Sequence, residues 1–90
     1  MNKNRTIHEL KTDPEQFEAF FSGRKRFEIR YNDRDYRVGD RLALRETKYS
    51  HAEMSQGQPL EYTGREDVLF VRYILRGPAY GLQEGWVIMS

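Results

Sequence analysis

Lys25, Glu28 and Arg30 fall within a run of six residues. A carboxylate accepts hydrogen bonds, an ammonium neutralises an anionic oxygen, and a guanidinium offers a planar fork of donors. Held on or beside one short strand, these groups make a binding site for a polar or anionic ligand, such as a nucleotide. Arg30 would contact a phosphate or a base edge, and Lys25 would supply charge near the phosphate. Glu28 would accept from an exocyclic amine such as that of cytosine. Lys11 and Arg34 are candidates for the rim of the same cleft. The same groups also admit catalysis, since a glutamate can act as general base for water while a lysine polarises an amide carbonyl. They admit a purely structural role as well, because charged pairs on strand faces are common and usually contribute little.

The elements that must position these residues are short. Thr6 to Lys11 reads as a first strand carrying Ile7 and Leu10. Asp13 then suits an N-cap and Pro14 the first helical position, where a missing N–H has no helical partner anyway. Phe17, Phe20 and Phe21 fall at i, i+3 and i+4, and Gly23 is a natural stop, so a helix is expected from Pro14 to Ser22 with one aromatic core face. Lys25 to Tyr31 reads as a strand with Phe27 and Ile29 facing the core and Arg26, Glu28 and Arg30 on the other face. Lys25 shares the site if it lies in the turn before that alternation begins.

Turns follow at Asn32-Asp33-Arg34-Asp35 and at Val38-Gly39-Asp40. Arg41 to Glu46 alternates, with Leu42 and Leu44 pointing one way. Tyr49 to Pro59 reads as an exposed, mobile loop, and Leu60 to Thr63 as a short strand ended by Gly64. Val68 to Arg76 reads as one long strand with Leu69, Val71, Tyr73 and Leu75 on one face, broken by Gly77-Pro78. Gly85 to Met89 closes the chain, with Trp86 in the core beside Val87 and Ile88. One main helix among five to six short, mostly antiparallel strands suggests an α+β fold built as a small β-barrel, the helix plugging one end.

Ninety residues make one domain, spanning 1–90. The net charge of +1 hides fifteen basic and fourteen acidic residues, which excludes a whole-chain electrostatic case for nucleic acid. The case is local: Arg24, Lys25, Arg26, Arg30, Arg34, Arg37, Arg41 and Arg45 crowd the first half, with Tyr31 and Tyr36 among them. Arginines with aromatics suit single-stranded nucleic acid, although Glu28, Asp33, Asp35 and Asp40 offset much of the charge. The absence of cysteine excludes disulfides and thiolate metal sites, and His8 and His51 lack ligand-like spacing, so neither metal nor cofactor is expected. His8 reads as an ordinary surface or satisfied histidine, with a place beside Lys11 in the cleft as the other reading. No apolar run approaches the length of a membrane span, and no signal peptide is expected; these features and the lack of cysteine fit a cytoplasmic monomer.

Gly23, Lys25, Glu28 and Arg30 stand at the spacing that marks the ASCH superfamily, which shares the PUA-like barrel fold. The chain resembles most a small bacterial and phage branch described as a domain of unknown function. That likeness is carried by His8-Glu9-Leu10-Lys11, Phe27-Glu28-Ile29-Arg30, Asn32-Asp33-Arg34, Val38-Gly39-Asp40, Tyr62-Thr63-Gly64-Arg65 and Gly81-Leu82. The resemblance implies a PUA-like barrel and binding of RNA or a modified nucleotide. It also implies an alternative, because some small bacterial members are amidohydrolases that deacylate cytidine. In those enzymes a lysine matching Lys25 is catalytic, a threonine three positions on is the nucleophile, and a distant glutamate completes the set. Here Glu28 occupies the threonine's position, and a carboxylate does not replace a hydroxyl nucleophile. Were this chain an enzyme, Lys25 and Glu28 would carry the chemistry. A second alternative is a module for protein interaction.

Overall fold

A computed structural model describes residues 6–90. The elements run β1 (Ile7–Thr12), α1 (Pro14–Phe21), β2 (Glu28–Tyr31), β3 (Arg41–Thr47), α2 (His51–Ser55), β4 (Tyr62–Phe70), β5 (Ile74–Arg76) and β6 (Trp86–Met89). The strands form two three-stranded sheets, ordered β1-β3-β4 and β2-β6-β5. β1 pairs with β3 in parallel, and the remaining pairings are antiparallel. The fold is therefore α+β, and no ladder closes the two sheets into one barrel among the described residues.

The core lies between the sheets. Leu10, Leu42, Leu44, Val87 and Met89 meet there with Phe17, Tyr36 and Val71. Alternation along β1 and β3 explains its first half, since His8, Leu10 and Thr12 are inward, as are Leu42 and Leu44. Val71 explains the crossing: its N–H donates to the Asp40 carbonyl, its carbonyl accepts from Gly39, and the chain then joins the second sheet through Ser90. Val68 to Arg76 is thus two strands, β4 and β5, and Tyr73 between them is exposed rather than core.

Other expectations are also revised. β4 runs straight through Gly64, whose φ of +95° accommodates a register shift opposite Arg45 and Thr47. The Tyr49–Pro59 segment contains a short helix, α2, started by a capping box between Ser50 and Glu53. α1 ends at Phe21, with Ser22 as its cap. Phe17 is fully buried, but Phe21 is exposed, stacks on Phe17 with centroids 5.7 Å apart, and lies under the Arg65 guanidinium. Arg65 also reaches Glu18 at 3.0 Å and Glu46 at 3.1 Å, so it clamps α1 to the first sheet from outside.

His8 is buried and its Nε2 donates to Asp40 Oδ2 at 2.8 Å. Asp40 also accepts from the Arg37 amide at 3.0 Å and the Thr6 amide at 3.3 Å. Burial acts to raise the Asp40 carboxyl, but the His8 hydrogen bond and those two amides outweigh it and hold the group below its ordinary 3.8. A depressed folded-state value adds stability above the ordinary value, and that stability is lost as pH falls through the depressed one. Urea denaturation midpoints are therefore expected to drop on acidification below about pH 4, and Asp40→Asn is expected to flatten that drop. At neutral pH Asp40→Ala is expected to cost about 3 kcal/mol, because His8 and two amides lose a charged acceptor.

Candidate functional site

β1 and β2 are edge strands of different sheets, and a cleft of about 590 Å³ lies along the seam between them. Lys11, Lys25, Glu28, Arg30 and Arg34 all line it, so all five sequence-derived candidates converge. Lys25 precedes β2, in the turn after α1, where its N–H donates to the Ala19 carbonyl. Gly23 makes that turn, with φ of +85° beyond the helix end.

The strand faces are the reverse of the expectation from hydrophobic alternation. Glu28 is buried with 2% exposure, whereas Phe27 and Ile29 are each 42% exposed. β2 starts only at Glu28, and Arg26 lies outside it on the surface. The inward position goes to the carboxylate because two cations meet it there. Arg30 Nε and Nη2 donate to Glu28 Oε1 at 3.2 and 3.1 Å. Lys25 Nζ lies 3.2 Å from Oε2 and donates a hydrogen bond to Gln16 Oε1 at 2.8 Å. The Lys25 contact with Oε2 is coulombic rather than an aligned hydrogen bond. Oε2 is thus a buried acceptor without a hydrogen-bond partner among the described residues.

The arginines also hold the seam. Arg30 Nη2 donates to the Lys11 carbonyl at 3.2 Å and approaches Thr12 Oγ1 at 3.5 Å. Arg34 Nη1 donates to the Glu9 carbonyl at 2.9 Å. These carbonyls lie along the free edge of β1, where a strand neighbour would otherwise bond them. The remaining first-half arginines disperse. Arg37 pairs with Asp35 at 2.8 Å, and Arg45 lies over the Tyr62 ring at 3.7 Å. Tyr36 is buried, and that burial pushes its phenol above the usual 10.0, so it stays protonated.

Several cleft residues escaped the sequence reading. Asp13 sits at the N-cap of α1 without capping it; its Oδ1 accepts instead from the His51 amide at 3.0 Å. That bond brings α2 to the cleft, where His51 is part of the lining. The only sequence signal was the Ser50-x-x-Glu53 pattern that starts α2. Trp86 is at the rim, 36% exposed, rather than in the core, and His8 bonds Asp40 in the interior outside this lining. Among the described residues no cluster of His, Cys, Asp and Glu could hold a metal ion, and no helix is long and apolar enough to cross a membrane.

A family model described as a domain of unknown function, DUF3850, matches residues 7–90. The chain belongs to this family. Its matched region contains every cleft residue named above. No curated protein matches the chain.

Within this family member the buried Glu28 with its two cations is the feature whose removal has a defined cost. Glu28→Ala leaves Lys25 and Arg30 facing each other with little solvent and is expected to destabilise the domain by about 3–5 kcal/mol in urea unfolding. Arg30→Ala is expected to destabilise in the same assay, since it also frees the β1 edge carbonyl.

Proposed function

We propose that this chain is a small PUA-like barrel of the ASCH kind, open at the β1–β2 seam, that binds RNA or a modified nucleotide in the cleft. The barrel reading is supported by two short sheets packed on one core, with α1 following β1 and preceding β2 in the chain, and by the Gly23, Lys25, Glu28, Arg30 spacing. The observation that carries the binding reading is the buried Glu28 carboxylate in the cleft wall, held by Lys25 and Arg30, with Oε2 lacking an aligned hydrogen bond among the described residues. An acceptor without an aligned donor is costly, and a ligand N–H that displaces the Lys25 ammonium, 3.2 Å away, would gain that hydrogen bond. A base amine supplies such a donor, and Lys11 and Arg34 at the exposed rim suit phosphates. The reading is of a monomer in a reducing cytoplasm, the compartment part of it supported by the lack of cysteine.

Single-stranded RNA is expected to bind modestly, with an affinity that falls as salt rises. For two phosphate contacts, at Lys11 and Arg34, the slope of log K against log salt is expected near about −1.4. Replacing both residues by alanine should flatten the slope in a fluorescence anisotropy assay. No binding at low salt would remove the proposal.

Catalysis is a second reading, favoured by Lys25 and Glu28 meeting in one cleft. It requires a nucleophile. The Thr47 hydroxyl donates to the Tyr49 carbonyl at 2.7 Å and the Thr63 hydroxyl to Glu46 at 2.8 Å, both away from the cleft lining. Thr12 does line the cleft, but its hydroxyl donates to the Leu10 carbonyl at 3.1 Å and its charged neighbour is Arg30, a donor that cannot serve as base. Chromatography of acylated cytidine incubated with the protein is therefore expected to show no free cytidine. Turnover abolished by both Lys25→Ala and Glu28→Gln would establish instead a water-dependent mechanism with Glu28 as base.

A further inference from the structure

Sheet β2-β6-β5 has an apolar outer face. Glu28 and Arg30 point into the seam, so Ile29 and Tyr31 alternate to the other side. The register then sets Tyr31 against Trp86 and Ile29 against Ile88, with Leu75 also paired to Ile88. Tyr31 is 55% exposed and Trp86 36%. Ile88 and Leu75 are half-buried, so the exposed apolar part of this face is Ile29, Tyr31 and Trp86, a candidate contact surface.

The aromatic end of the strip is built and fixed. The Tyr31 and Trp86 rings meet edge to face, with centroids 5.9 Å apart and planes at 71°. Tyr31 packs on Gly85, where an added Cβ would fall 2.7 Å from its Cε1. The Asn32 amide donates to the Gly85 carbonyl at 2.8 Å, which ties the end of β2 to the start of β6. β2 is an edge strand, so residues from both of its faces border the cleft, and Tyr31 and Trp86 are among its lining with Lys11, Lys25, Arg30 and Arg34. An aromatic pair at the mouth of a cationic seam matches a base with its neighbouring phosphates. A purely apolar protein partner would leave those cations unmatched.

We propose that Trp86, with Tyr31, stacks one base of a single-stranded RNA whose neighbouring nucleotide occupies the Glu28 floor of the cleft. This rests on the nucleotide-binding reading and extends it from a mononucleotide to at least two consecutive nucleotides. Glu28 and Tyr31 are three residues apart on β2, about 10 Å at the strand rise, too far for one base to reach both.

Trp86 is the only tryptophan in the chain, so indole emission reports on this site alone. A short single-stranded RNA oligomer, titrated into the full chain, is expected to quench that emission with the same midpoint as anisotropy of labelled oligomer. Nucleoside monophosphates should quench only at far higher concentration. Trp86→Ala is expected to weaken oligomer binding roughly five- to 150-fold, the range for losing one stacked base, while Trp86→Phe retains most of the affinity. Tyr31→Ala provides a second variant, expected to weaken binding in the same direction. If Trp86→Ala does not fold, quenching in the native chain decides.

Oligomer binding with unaltered indole emission, or with full affinity in both alanine variants, would overturn this inference and leave the nucleotide-binding reading standing. Equal midpoints for monophosphate and oligomer would overturn the two-nucleotide site. Failure of RNA to bind at all would overturn both readings. An emission change that tracks protein concentration without RNA would assign the face to a second copy of the chain and overturn the stacking role.

Discussion

Glu28 is the residue around which the seam is organised. Removing a carboxylate from water costs several kcal/mol unless partners restore what hydration supplied. Here the restoration comes from Lys25 at one oxygen and Arg30 at the other. Each partner is itself tied elsewhere, Lys25 to Gln16 of α1 and Arg30 to the Lys11 carbonyl of β1. One buried charge therefore links α1, β1 and β2, which apolar contacts alone would leave loosely related at this end of the molecule. The two cations satisfy the carboxylate only in part, since Oε2 is buried without an aligned hydrogen bond among the described residues.

The rest of the join between the sheets is made by different means. Apolar side chains fill the interior, Val71 carries the chain from one sheet to the other, and the His8–Asp40 pair secures the turn before β3. At the seam the free carbonyls of β1 accept from the side chains of Arg30 and Arg34 rather than from a neighbouring strand. A strand there would complete the ladder and fill the gap. Long side chains satisfy the backbone and keep the space open, which is how a fold this small retains a cleft of about 590 Å³.

Much of the framework follows from local chemistry. Pro14 and the spacing of Phe17, Phe20 and Phe21 specify α1, Val38-Gly39-Asp40 specifies a turn, and alternation at Leu42 and Leu44 specifies β3. Other elements were obscured by competing local signals. Gly64 reads as a stop, yet a bulge absorbs it within β4. The polar composition of Tyr49–Pro59 hides the capping box of α2, and Asp13 resembles a cap until its carboxylate is seen to serve the His51 amide, 38 residues away.

The sequence by itself determined the identity and clustering of Lys25, Glu28 and Arg30, because a turn and a short strand keep neighbours together whatever surrounds them. That Lys25 lies in the turn before the strand was a condition the sequence left open, and the start of β2 at Glu28 met it. Only the tertiary structure decided which way β2 faces. Hydrophobic alternation assigns Phe27 and Ile29 to the interior, and for an isolated strand that is the favourable choice. The choice reverses once Arg30 and Lys25 pair with Glu28 and a separate strand, β1, supplies acceptors for Arg30 from residues 18 and 19 positions earlier in the chain. The same reversal carries Ile29 and Tyr31 outward, and through pairing with β6 it carries Trp86 with them. Burial of a charge depends on where its partners lie in space, and no local pattern encodes that.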